Sequence, residues 1–249
     1  MISIERHEAI AVLTLAGSEK NPIDLELVGK LASALSELRE DPDTLGLVLA
    51  SSSKTFFSIG FDIPGLFDVS REDFGIFYKA FNEFCLDLYT FPKPTAAAVQ
   101  GHATAGGFIL TLACDDRILS EGKYLMGLNE AKLGVPAPYF SELVLEQIAG
   151  RANAGKHIEE GEFFMPDEAL EMGIADHLIP NDEVLPAAIK AVSGVDAAIL
   201  STYSSIKKAR TKKIKKAVRK TLDEKTKVFL ARWYTPDTRA LLRETMKKY

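Results

Sequence analysis

Short apolar runs rich in β-branched residues alternate with helix-period segments over the first two-thirds of this chain, and that alternation is what most constrains its fold. Ile10–Leu15 reads as a strand that ends at Gly17, and residues 45–50 read as a buried strand after the Asp41-Pro42-Asp43 turn. Between them Leu25, Val28, Leu31, Leu35 and Leu38 recur at three- and four-residue spacing, which predicts an amphipathic helix over 25–39 that Asp24 can cap. A second apolar helix over 74–89 ends ahead of Pro92 and Pro94. Thr95–Val99 is another buried strand, 108–114 a helix and 117–119 a strand, and beyond about residue 142 the patterns are mostly helical. The expected architecture is an α/β domain with helix-covered strands. A core over residues 1–190 is followed by an all-helical region over 191–249.

Composition narrows the class. With 47% hydrophobic and 26% charged residues, the 249-residue chain has ample apolar surface to bury, which excludes disorder, collagen and a coiled-coil rod. A formal charge of −5 argues against nonspecific nucleic-acid binding by the chain as a whole. The two cysteines, Cys85 and Cys114, sit in apolar runs and read as buried reduced thiols. Residues 1–7 carry neither a signal peptide's apolar stretch nor an Arg-rich transit pattern, and no apolar run is long enough to span a membrane. Lys247-Lys248-Tyr249 is not a Ser-Lys-Leu peroxisomal address. A cytoplasmic location is the expectation.

Two loops carry the candidate chemistry. One is Phe57-Ser58-Ile59-Gly60-Phe61-Asp62-Ile63, after the strand at 45–50; the other is Gly101-His102-Ala103-Thr104-Ala105-Gly106-Gly107, after Thr95–Val99. Small residues behind a strand let backbone approach a ligand, and a helix that starts there aims free N–H groups at it. Two such loops can converge on one carbonyl oxygen and stabilise an oxyanion. The Gly106-Gly107 pair at a strand–helix junction is also what close packing alone requires. The chain has no phosphate loop, no dinucleotide fingerprint and no nucleophile elbow, and its four histidines lack metal-ligand spacing.

The combination of F-S-I-G-F-D-I, K-P-T-A-A-A-V-Q-G-H-A-T-A-G-G and L-A-C-D-D-R-I resembles the enoyl-CoA hydratase/isomerase (crotonase) superfamily. A third block, Met126-Gly127-Leu128-Asn129-Glu130-Ala131-Lys132-Leu133-Gly134, matches that family's third active-site segment. The Ala137-Pro138-Tyr139-Phe140 that follows looks like its Δ3,Δ2-enoyl-CoA isomerase branch. The resemblance implies an α/β fold, the ClpP-like crotonase spiral of ββα units, with a C-terminal helical trimerisation region. It also implies a homotrimer or dimer of trimers acting on an acyl-CoA thioester, with no metal and no cofactor beyond the coenzyme A of the substrate. Carried over residue by residue, the oxyanion hole falls on the backbone N–H groups of Phe61 and Gly106. The two glutamates of a hydratase fall on Ile109, which cannot move a proton, and Glu130, which can. One carboxylate suffices to shift a double bond, whereas water addition needs a second group to hold the water. The resemblance therefore favours isomerisation; hydration, thioester hydrolysis and a weakly active RNA-binding protein stay open as alternatives.

The same reading assigns Ile59, Gly60, Ile63, Leu66, Gly107, Ile109, Asn129 and Tyr139 to substrate contact. It has Leu125, Met126, Leu128 and Leu133 supply an apolar pocket that raises the Glu130 pKa. Phe67, Tyr78 and Phe108 are further candidates for pocket shape. Asp62 is expected to cap a helix, His102 to be dispensable, and Asp115, Asp116 and Arg117 to form a local charge network; Glu142 is the alternative second acid. Finally, nine Lys and Arg residues lie within 207–220 without an acid, leaving the rest of the chain formally at −14. A solvated helix face over Ile206, Ile214, Ala217, Val218 and Leu222, attraction for the phosphates of coenzyme A, and RNA or anionic-membrane contact are three readings of that segment.

Overall fold

The structure is a computed structural model that describes residues 1–247. The last two residues of the C-terminal tripeptide and of the 191–249 region lie outside them. In chain order the strands are β1 (Ile2–His7), β2 (Ile10–Leu15), β3 (Gly46–Ser51), β4 (Phe56–Ser58), β5 (Thr95–Val99), β6 (His102–Thr104), β7 (Asp116–Ser120), β8 (Met126–Gly127) and β9 (His177–Ile179). The helices are α1 (Leu25–Glu40), α2 (Ile63–Phe67), α3 (Arg71–Tyr89), α4 (Gly106–Leu112), α5 (Tyr139–Glu160, interrupted at Gly150), α6 (Pro166–Glu171), α7 (Val184–Val192), α8 (Leu200–Trp233) and α9 (Pro236–Met246).

A six-stranded sheet runs β1-β2-β3-β5-β7-β9, antiparallel only between β1 and β2, and a second sheet runs β4-β6-β8, all parallel. Consecutive strand pairs therefore climb both sheets together: β3 with β4, β5 with β6, β7 with β8, each pair followed by helix. This is the spiral of ββα units that the resemblance implies. The central strands β2, β3 and β5 of the large sheet are buried on both sides, which is why β5 reads Thr-Ala-Ala-Ala-Val without alternation. Ala96, Ala98 and Val48 face α7, while Ala97, Val99 and Leu49 join the main core with α1 and α3.

Helix α1 is capped as expected, the Asp24 carboxylate accepting from Leu27 N at 2.7 Å. Helix α3 begins at Arg71, ahead of the expected residue 74, because Ser70 Oγ accepts from Asp73 N at 3.1 Å and adds a polar first turn.

The charge network at Asp115 is long-range rather than local. Lys207 and Arg210 of α8 both pair with Asp115, the Tyr203 hydroxyl donates to it at 3.1 Å, and Thr95 N donates at 3.0 Å. Arg117 pairs with Asp176 at 2.8 Å. Burial alone would raise the Asp115 carboxyl, but the charges and hydrogen bonds of Lys207 and Arg210 bring it below its usual value. The 207–220 segment is thus a solvated face only in part. Lys207 is buried over Asp115, Ile214 and Val218 pack inward, and Ile206 is exposed. Lys207→Met should destabilise by about 2 kcal/mol, below the ~3–5 kcal/mol of an orphaned buried charge, since Arg210, Tyr203 and Thr95 still hold Asp115. A melting temperature about 4–8 °C lower would register it.

Candidate active site

Three of the spiral's turns deliver the two loops and the third block to one place. After β4 the chain turns at Gly60, where φ is +89°. A Cβ there would fall 2.7 Å from Gly106 N and 2.9 Å from Ala105 Cβ, so the bare backbone of Gly60 keeps room beside Gly106. Asp62 then caps α2, its carboxylate accepting from Gly65 N at 3.2 Å. After β6, Ala105 adopts φ +49°, ψ −123°, a conformation that L residues rarely take and that is held here by its N–H donating to Gly127 O at 2.8 Å. The turn makes Gly106 the first residue of α4. Its N–H has no intrahelical acceptor at that position, and no side chain caps the helix. After β8, Glu130 opens a short 3₁₀ turn, Glu130–Leu133.

These segments surround a cavity of about 240 Å³. Ile59, Phe61, Ile63, Gly106, Asn129 and Glu130 line it, together with the apolar Leu133, Val135 and Pro138. Among the described residues Glu130 is the one Asp or Glu in this wall, and it is only 7% exposed. Burial pushes its carboxyl up to about 7, and the backbone N–H groups of Glu130 and Asn129 only partly oppose the shift. Its Oε2 is buried without a hydrogen-bond partner. So are Asn129 Oδ1 and Trp233 Nε1, both on residues of the same cavity wall. Polar atoms orphaned in a fold are uncommon, and their gathering at one cavity marks a place where packing rules yield to function.

Other expected contacts are placed elsewhere. Gly107 packs rather than binds: a Cβ there would lie 2.2 Å from Ser58 O, which fixes how closely α4 lies on β4. Leu66 and Ile109 are buried core residues outside the cavity wall, as are Phe67, Tyr78 and Phe108. Tyr139 also lies outside it, its ring under the Lys225 ammonium at 4.5 Å. Gly60 acts beside Gly106 without lining the cavity. Of the apolar residues expected around Glu130, Leu133 does line it, Met126 and Leu128 sit in the core, and Leu125 is exposed. His102 Nδ1 accepts from Leu125 N at 3.0 Å, which ties two loops together. Glu142 is half-buried and raised by burial against the opposing Lys225, but it is not in the wall; Glu146 is exposed. The reading missed Phe229 and Trp233 of α8 and Thr245 of α9, which close the cavity from the C-terminal helices. Their spacing looks like ordinary helix core, and nothing local ties them to a site 100 residues earlier.

Among the described residues no group of three or more His, Cys, Asp or Glu is arranged to hold a metal ion, and no helix is long and apolar enough to cross a membrane. A family model described as enoyl-CoA hydratase/isomerase matches residues 5–249. Human mitochondrial enoyl-CoA delta isomerase 1 is 32% identical over 185 residues, covering 74% of this chain and 61% of the human protein. The mouse protein of the same name is 30% identical over 185 residues, covering 74% and 64%. The match thus spans less than two-thirds of these relatives' length. In structure, human mitochondrial delta3-delta2-enoyl-CoA isomerase superposes with a TM-score of 0.90 at 27% identity, covering 99% of this chain and 97% of that one. An enoyl-CoA hydratase from Bacillus halodurans superposes with a TM-score of 0.85 at 25% identity, covering 98% and 99%.

Proposed function

This chain belongs to the enoyl-CoA hydratase/isomerase family, and we propose that it moves the double bond of a 3-enoyl-CoA to the 2-position with Glu130 as the sole proton carrier. One observation carries the reading: among the described residues a single carboxylate lines the cavity, and the position at which a hydratase would hold its other glutamate is a buried isoleucine, Ile109.

The thioester carbonyl oxygen accepts from the N–H groups of Phe61 and Gly106. Glu130 takes a proton from C2, and the C–H electron pair moves into an enolate whose charge the two donors stabilise. The enolate then collapses, C2=C3 forms, and the former C3=C4 pair takes the same proton at C4 from the now neutral Glu130. An apolar cavity favours the neutral acid between these steps, and a carboxyl poised near 7 can both take and return a proton. These steps need no metal and no nucleotide besides the coenzyme A on the substrate. Assembly as a homotrimer or dimer of trimers, which the family resemblance implies, is part of the same proposal. Sedimentation of the purified protein checks that.

Incubation with 3-hexenoyl-CoA tests the reaction: a conjugated 2-enoyl product should accumulate. Hydration of crotonyl-CoA or release of free thiol at a greater rate would instead favour hydratase or hydrolase chemistry. Because the base must be ionised, kcat/KM should fall about tenfold per pH unit below a midpoint near 7 and level off above it. A midpoint at the ordinary glutamate value would mean that the buried carboxyl is not the group that limits the reaction.

A further inference from the structure

Resting on the acyl-CoA reading, one more assignment concerns which acyl groups fit. The cavity wall grades from partly exposed residues, Lys20, Phe56 and Phe163, to fully buried ones, Phe229 and Trp233. The wall is thus open to solvent at Lys20, Phe56 and Phe163 and closed by packed rings at Phe229 and Trp233. Trp233 is 2% exposed, and its ring lies 4.5 Å from that of Phe74 and 5.9 Å from that of Phe229. Phe229 in turn stacks on Tyr78 at 4.3 Å. Phe74, Phe229 and Tyr78 are themselves at most 1% exposed, so close-packed aromatic rings back the indole. A chain that reaches Trp233 has nowhere further to go.

We propose that Trp233 is the floor of the acyl pocket and limits chain length, making the site selective for short enoyl groups over long ones. The limit follows from the rings packed behind the indole, which leave an acyl chain no further space. A tryptophan at the end of α8, rather than the loops around Glu130, therefore limits the substrate.

Calorimetric titration with saturated butyryl-, hexanoyl-, octanoyl- and dodecanoyl-CoA, which cannot react, tests this on the full-length protein. Wild-type affinity should rise about fourfold per methylene among the shorter thioesters and stop rising before dodecanoyl-CoA. Trp233→Leu should move the length at which affinity stops rising to a longer chain, with a gain of about tenfold for two added methylenes beyond the wild-type limit. Trp233→Phe, which keeps a ring against Phe74, should show a smaller shift in the same direction and serves if the leucine variant does not fold. A wild-type affinity that keeps rising through dodecanoyl-CoA, or variants with the wild-type chain-length profile, would overturn the assignment. If folded wild-type protein binds none of the four thioesters, the acyl-CoA reading beneath it fails as well, which separates the two failures.

Discussion

Replacing Glu130 with glutamine should lower turnover of 3-hexenoyl-CoA by about 10²–10⁴-fold and at the same time make the protein more stable at alkaline pH. The two effects share one cause. Burial lifts the folded-state pKa of this carboxyl from 4.5 to about 7. Its folded pKa lies above its unfolded one, so the folded state binds the extra proton, and stability falls as pH rises from about 4.5 to about 7, then stays level. Above pH 7 the ionised, desolvated carboxylate burdens the native state by about 3 kcal/mol. An amide removes the charge while keeping the shape. Allowing for the weaker interaction of an amide with the N–H groups of Asn129 and Glu130, the variant should gain about 2 kcal/mol at pH 8 and nothing near pH 4. Thermal melts at both pH values and single-substrate kinetics read the two halves. A variant that loses activity and stability together would make Glu130 a structural residue rather than a base.

Gly60→Ala should lower kcat by about 10²–10³-fold, the usual loss of one oxyanion donor. The glycine is not catalytic itself; its absent side chain is what matters. An alanine Cβ would sit 2.7 Å from Gly106 N and 3.0 Å from Thr104 O, both backbone atoms that cannot rotate away. The φ of +89° adds a cost of about 1–2 kcal/mol for any L side chain. The crowded amide either shifts or loses its acceptor, so the enolate forfeits one of its two donors. Glu130, on a different segment, keeps its place, and the pH midpoint of the residual activity should therefore stay near 7. A folded Gly60→Ala protein with nearly full activity would move the oxyanion hole away from Gly106.

The parts of this site that were legible in the sequence are those fixed by local backbone. The Gly60-Phe61 and Ala105-Gly106 turns stood out as small residues at strand ends, but their role and that of the Asn129-Glu130 block came from the family resemblance, whose motifs each occupy a few adjacent positions. What depends on distant packing was not legible. Strands β4, β6 and β8 have only two or three residues each, too few to show a period, yet they form the sheet that carries all three site segments. Strand β1 is largely exposed along its length, so it offers no apolar alternation either. Gly107 looked like a ligand contact because the motif that contains it is small throughout; only coordinates show Ser58 O behind it. For Lys207 and Arg210 a solvated face, coenzyme A phosphates and RNA or membrane contact all stayed open until α8 was seen to bring them to Asp115, 92 and 95 residues away in the chain. Trp233 was lost for the same reason, as part of an ordinary helix stripe.

The single-carboxylate account is most directly tested by a crystal structure with a saturated short-chain acyl-CoA bound. The thioester oxygen should lie about 2.7–3.1 Å from the nitrogens of Phe61 and Gly106. A Glu130 oxygen should lie about 3–3.5 Å from C2, with no other carboxylate near that carbon. A Glu130 side chain turned away from C2, or Glu142 swung in to hold a water beside C3, would contradict the account and point to hydration instead.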